Sequence, residues 1–394
     1  MRNNQRMRPS WQRMLIAVAP VTLAVGLAAC SSSGSTSSSS TSATNSAAAS
    51  TPGLKQAEAV VSADTSTPTS IGITQPVGKP IPTGKHIVIV YSGQGAVGTN
   101  LVYDGFNQAA KELGWKVTSL YPALPTPQDL QQALNQAIQL KPDAVIITAV
   151  DDSTFQSQIN TLQSMHIPVI ANFSPDPTGG PITLSLMGSA GEGALAKVAG
   201  AVAVADLGAK AKLAVIGLQG YKIVQDYTQG FYSEVHATCP GCTIKETDLP
   251  LTSLGTSDGT DIVNFLRANP GITGVLIGYD GLGSDLFTAA KSAGITLPKV
   301  YSIATLPTGV QAAEEGELTA TVPVDYTDLG WRDADALARI FTGQTASALA
   351  QDVLYERPVI WSTQYHNVPS LPSDNSFPGV VATDQAQYEK LWGK

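Results

Sequence analysis

Histidine is scarce in this chain, with four among 394 residues, and cysteine scarcer still at three. The histidines stand at 86, 166, 236 and 366, too far apart to spell a metal-ligand spacing, so neither a metal nor a cofactor is expected. Charge is thin as well: 14% of residues are charged and the net charge is −8. A nucleic-acid partner is disfavoured on that balance, because neutralising phosphates takes an excess of lysine and arginine. Few charges also speak for a well-packed interior. Beyond the first 30 residues no apolar run reaches membrane-spanning length.

What is present begins with Arg2, Arg6, Arg8 and Arg13 ahead of an apolar run from Met14 to Gly26, closed by Leu27, Ala28, Ala29 and Cys30. A basic start, a short apolar stretch and small residues make a secretory signal over residues 1–29. The final tetrapeptide resembles a bacterial lipobox, which implies that Cys30 is lipidated and heads the mature chain. The expected location is then the extracytoplasmic face of the cell membrane, with the lipid as the membrane contact. Residues 30–83 are rich in Ser, Thr, Ala, Gly and Pro and read as a tether that packs against nothing.

The stretch Gly84–Lys116 sets the pattern for the remainder. His86 to Tyr91 is a β-branched run suited to a strand buried on both faces of a parallel sheet. Val102, Phe106, Ala109, Ala110 and Leu113 follow at helical spacing, and Gly114 stops the helix. Between them Gly93, Gly95 and Gly98 spell G-x-G-x-x-G. A dinucleotide site would also need an acidic residue after the second strand, where Leu120, Tyr121 and Pro122 stand instead. The glycines are read as a tight loop at a ligand site.

Strand and helix alternate onward in two successive series, which predicts an α/β protein of two doubly wound, Rossmann-like lobes. The ordered patches HIVIVYSGQG, YDGFNQAAKELGWKV, KPDAVIITAVDDSTF and HIPVIANFSPDP, then AVIGLQGY, YTQGF, GVLIGYDGLGSDLFTAAKSAG and GVQAAEEGELTATVPVDYTDLG, resemble type I periplasmic binding proteins. The nearer likeness is to the ribose-like sugar-binding components of bacterial ABC importers. That resemblance implies a clamshell whose lobes close on a solute and signal to a membrane permease. It also implies three hinge crossings, near Met187, Asp325 and Trp361. Lobe 1 would take residues 84–187 and 326–360, and lobe 2 residues 188–325 and 361–394.

Loops at the strand ends are the expected ligand contacts: Ser92, Gln94, Thr99, Asp151, Asn172 and Phe173 from lobe 1, and Gln225, Tyr279, Asp280, Thr305 and Asp325 from lobe 2. Where ribose-like members carry an Asp-Arg pair after the fourth strand, this chain has Phe173 and Ser174; Gln225, Tyr279 and Ala304 replace further charged or amide positions. The ligand is therefore expected to be less polar than ribose: a deoxy or substituted sugar, a polyol or a small cyclic metabolite, stacked between Phe173 and Tyr279. A surface sensor using the same clamshell without transport is the alternative.

Cys239 and Cys242 form a C-x-x-C that follows a helix, so a structural disulfide is favoured over a redox pair or a zinc site with His236. No nucleophile with its base is legible. Ser189 lacks the glycine spacing of a nucleophile elbow, and Asp151, Asp152, Asp280 and Asp285 fall where carboxylates cap helices. No enzymatic activity is expected.

Overall fold

The computed structural model of the chain describes residues 51–92, 97–122, 126–149, 154–174, 182–220, 222–345 and 358–394. The expected signal, Cys30, Gln94 and Asp151 lie outside the described residues. After a first helix α1 (Pro52–Ala63) come β1 (His86–Val90), α2 (Val97–Leu113), β2 (Lys116–Leu120), α3 (Pro127–Leu140), β3 (Ala144–Thr148), α4 (Gln156–Ser164), β4 (Val169–Asn172) and β5 (Leu184–Leu186). The second series is α5 (Ser189–Leu207), β6 (Lys212–Leu218), α6 (Lys222–Thr238), β7 (Thr243–Leu249), α7 (Asp258–Ala268), β8 (Gly274–Ile277), α8 (Leu286–Ser292), β9 (Lys299–Ile303), α9 (Pro307–Glu314) and β10 (Ala320–Val322). Among the described residues two further α-helices follow, α10 (Tyr326–Phe341) and α11 (Asp384–Trp392).

The strands form two five-stranded sheets, β2-β1-β3-β4-β5 and β10-β9-β8-β6-β7, with every pairing parallel. Both read 2-1-3-4-5 in their own chain order, so the molecule is the pair of doubly wound α/β lobes that the alternation predicts. Central strands are apolar on both faces because helices cover both: Ile87 to Ile89 and Ala144 to Ile146 are fully buried. Ile87 sits in register between Val117 and Ala144. α3 shows the local logic well, with the Thr126 hydroxyl accepting the Asp129 N–H at 3.2 Å, proline at the first turn and Lys141 in the left-handed region as its stop.

The chain leaves the first sheet through Met187 into α5, which packs on β8, β9 and β10, and leaves the second through Val324 and Asp325 into α10. α10 lies against α2 of the first lobe at backbone contact: a Cβ on Gly330 would stand 2.0 Å from the Val102 carbonyl oxygen, and one on Gly105 would stand 2.1 Å from that of Thr327. After α10, Trp361 bridges antiparallel to Thr321 of β10.

Two sequence expectations are corrected. Residues 51–83 are no free tether. α1 packs on α5 and α6 through the buried Ala57 and Val61, and Ile71, Ile73 and Val77 are buried further along. The compositional reading failed because a few apolar residues at the right spacing suffice when a surface is waiting to receive them. Of residues 361–394, assigned to lobe 2, Trp361 stays with β10, but α11 returns to lobe 1: Trp392 stacks on Trp331 of α10 at 5.5 Å and donates Nε1–H to Asp335 at 2.9 Å, while Gln385 reaches Gln108 of α2.

Candidate functional site

A 2-1-3-4-5 sheet has its crevice at the carboxyl ends of its first and third strands, where the connections diverge to opposite faces. These ends are Ser92 and Ala149 in lobe 1, and Gln219 and Tyr279 in lobe 2. The backbone there is unusual. Of the eight non-glycine residues with positive φ among the described residues, Ala149 (55°), Phe173 (51°), Met187 (48°) and Ala304 (55°) directly follow a strand. Ala149, Phe173 and Ala304 donate N–H to Asn172, Leu186 and Val322, so the ladder runs one residue past the strand while the chain turns away. Left-handed backbone costs about 1–3 kcal/mol at each such residue and gathers at ligand clamps. For a bulky side chain such as Phe173 it is a real outlier.

Tyr326 ties these ends together. It opens α10 on the lobe 1 side of the crossing, yet its hydroxyl donates to the Ala304 carbonyl at the end of β9 in lobe 2, 2.9 Å away. Its ring lies 5.7 Å from that of Phe173 and meets Phe377 edge-on at 6.3 Å. Gly98 completes the contact, since a Cβ there would stand 2.8 Å from the Tyr326 ring. One side chain thus touches the first turn of α2, the end of β4 and the opposite lobe. Phe173 and Asp325 are among the positions expected from the sequence and Tyr326 is not, although an aromatic directly after the crossing aspartate is a legible signal.

The other expected positions divide. Ser92 and Thr99 are brought together, buried, with their hydroxyl oxygens 3.4 Å apart. Tyr279 is half-buried, its ring folded over Gly281. Gln225 lies exposed on α6, next to Asp226, which accepts the Ser189 hydroxyl at 2.6 Å and pairs with Lys222 at 2.8 Å. Asn172 is fully buried and donates Nδ2–H to Asp333 of α10 at 2.7 Å. Burial pushes the Asp333 carboxyl well above the usual range, only partly offset by that bond.

Three positions are spent inside the protein. Asp280 accepts the Leu306 N–H at 3.0 Å at the start of α9, and burial pushes its carboxyl up to about 6 against the hydrogen bonds of Leu306, Ser302 and Gly309. Thr305 is fully buried, hydrogen-bonded to the Thr321 hydroxyl, which also receives that of Ser302. Asp325 caps α10 by accepting the Asp328 N–H at 3.0 Å and also accepts the Val380 N–H at 2.5 Å. Burial, helped by the nearby Asp328 carboxylate, lifts Asp325 to about 7. A pocket of about 520 Å³ opens beside it, lined by Thr327, Phe377, Gly379, Thr383 and Asp384 on the C-terminal side rather than by strand ends.

None of the described arginines serves the strand ends. Arg267 donates to the Ala293 carbonyl, and Arg332 and Arg339 are buried on α10 in pairs with Asp328 and Asp335. Among the described residues no group of His, Cys, Asp and Glu could hold a metal ion, and no helix is long and apolar enough to cross a membrane. Cys239 and Cys242 are joined in a disulfide at the turn after α6.

A family model described as the periplasmic binding protein domain matches residues 87–345, more than half of the chain. The chain belongs to that family. Solved structures of similar fold include an ABC transporter solute binding protein from Agrobacterium vitis with bound allitol, 17% identical, covering 72% of this chain and 97% of its own with a TM-score of 0.62. Another, from Mycobacterium smegmatis with bound glycerol, is 17% identical over 73% of this chain and 98% of its own, TM-score 0.62. A glucose-galactose binding protein from Geobacillus stearothermophilus is 19% identical over 73% of this chain and 100% of its own, TM-score 0.61. Among curated proteins none matches the chain.

Proposed function

We propose that the protein is a solute-binding component of an ABC importer that takes an uncharged polyol or a substituted sugar into the cleft between its lobes and hands it to a permease. The observation that carries this reading is the chemistry of the strand ends. Hydroxyl groups (Ser92, Thr99) and aromatic rings (Phe173, Tyr279, Tyr326) stand there, while every described arginine and both carboxylates, Asp280 and Asp325, are engaged within the protein. A charged ligand group would need a charged partner to offset its desolvation. A rigid sugar ring dense in hydroxyls would want the forked, charge-assisted hydrogen bonds that arginine and carboxylate supply, whereas an open-chain polyol can turn its hydroxyls one by one toward single neutral partners. Structural neighbours of this fold hold allitol and glycerol, which agrees with a polyol. A lipid on Cys30 would hold the protein at the membrane beside the permease.

Calorimetry with allitol, glycerol, ribose, galactose and glucose tests the reading. A polyol should bind at or below about 1 μM, near −8 kcal/mol, and the unmodified sugars more weakly. Phe173→Ala should weaken the polyol by at least about tenfold through loss of the aromatic face. Tight binding of ribose, galactose or glucose, with no response to polyols, would refute it.

A further inference from the structure

We infer that residues 51–82 form a strap, a link between the lobes additional to the hinge crossings, which limits how far the lobes move apart. The strap lies wholly outside the family match, which starts at residue 87. Its first half belongs to lobe 2. α1 sits on α5 and α6, so close that a Cβ on Gly53 would stand 2.1 Å from the Thr238 carbonyl oxygen. The Asp64 carbonyl then accepts the Ile360 N–H at 2.7 Å and the Thr65 carbonyl accepts Asn367 Nδ2–H at 2.8 Å, on the segment bridged to β10 through Trp361.

The second half belongs to lobe 1. Gln387 of α11 donates to the Thr69 carbonyl and accepts the Ile71 N–H, each at 3.1 Å. Arg332 and Arg339 of α10 donate to the carbonyls of Ile71 and Gln75 at 2.8 and 2.7 Å. Val77 N–H reaches the Leu391 carbonyl at 3.0 Å, and Trp115 Nε1–H reaches that of Pro82 at 2.8 Å.

Between the last lobe 2 anchor, Thr65, and the first lobe 1 anchor, Thr69, only Ser66, Thr67 and Pro68 remain. Four Cα steps reach at most about 14 Å when fully extended. A movement that carries the two anchors further apart must first tear out buried groups on one side, including the carbonyl partners of two buried arginines. The restraint follows from chain length and docking, whichever solute the cleft takes.

The test is the distance between the lobes in the ligand-free full-length protein. Spin labels at Gln128→Cys in α3 and Thr260→Cys in α7, both exposed in first helical turns, report it by pulsed electron resonance. Six Gly-Ser residues inserted between Ser66 and Thr67, both exposed, lengthen the link at little loop-closure cost. The distance distribution should broaden toward longer separations. A second variant, deletion of Thr67, should narrow it or shift it the other way. Thermal melting of each variant establishes that it folds. Distributions that coincide with the parent's in the folded variants would overturn the strap. Since no ligand is added, the result is separate from whether a polyol binds.

Discussion

Asp325 offers a sharp test of the electrostatics at the hinge. It is 1% exposed and its carboxyl is lifted to about 7, chiefly by burial and then by the Asp328 carboxylate, against two N–H donors that favour the charged form. The unfolded value is about 3.9, so the folded protein holds this proton more tightly than the unfolded chain. The stability that results is fully present at and below about pH 4 and is lost as pH rises toward 7. From pH 5 to pH 7 the loss from this group is about 2 kcal/mol, because the slope of about 1.4 kcal/mol per unit falls to half as the carboxyl reaches its own midpoint. Asp325→Asn keeps a side-chain acceptor for the Asp328 N–H but turns an amide toward Val380, a fixed cost of about 1–3 kcal/mol at any pH. Urea unfolding followed by tryptophan fluorescence at half-unit pH steps should show the parent losing stability over this interval more steeply than the variant by about 1 kcal/mol per unit on average. Asp280, lifted to about 6, contributes to both proteins and cancels in the difference. Parallel curves for the two proteins would refute the buried, proton-holding carboxyl.

Two further expectations concern stability. Gly105→Ala should cost about 3 kcal/mol or more by urea unfolding, because its new methyl group would meet the Thr327 carbonyl oxygen at 2.1 Å and neither backbone can yield; a loss below about 1 kcal/mol would show that α2 and α10 can separate freely. Arg332→Ala should cost about 3–5 kcal/mol, since it leaves Asp328 buried without its partner and the Ile71 carbonyl without its donor, and a loss under about 1 kcal/mol would mean that the pair is hydrated.

How far the fold could be read in advance depended on what buries each segment. Strands covered on both faces advertise themselves as β-branched runs, as Ala144–Thr148 and Gly274–Ile277 do within their patches. β5 has only Leu184, Ser185 and Leu186, too short to carry a period. α1 had readable marks in its Thr51 cap and Pro52, but the Ser/Thr-rich composition around it hid them. In α10, Asp328, Arg332, Asp335 and Arg339 fall at i, i+4, i+7 and i+11, all on one face. Read alone, such a stripe is solvated; its burial follows only from the strap and α11, segments remote in sequence. The candidate site was legible as a set of strand ends and as a shortage of arginine, whereas capping by Asp280 and Asp325 required the third dimension.

The hinge concentrates these effects in a few consecutive residues. Val324 leads out of the second sheet, Asp325 starts α10 and holds Val380, and Tyr326 reaches back to Ala304 while its ring rests on Phe173. A lobe movement that draws Ala304 away from Tyr326 gives up one hydrogen bond between protein groups, worth about 0.5–1.5 kcal/mol net, and uncovers one aromatic contact. Both are small against the about −8 kcal/mol of a micromolar ligand. A ligand shifts an equilibrium between two arrangements only by its difference in affinity for them, and this one contact sets little against that difference. The strap acts on the same balance from the other side, by removing widely separated arrangements from those the free protein can visit.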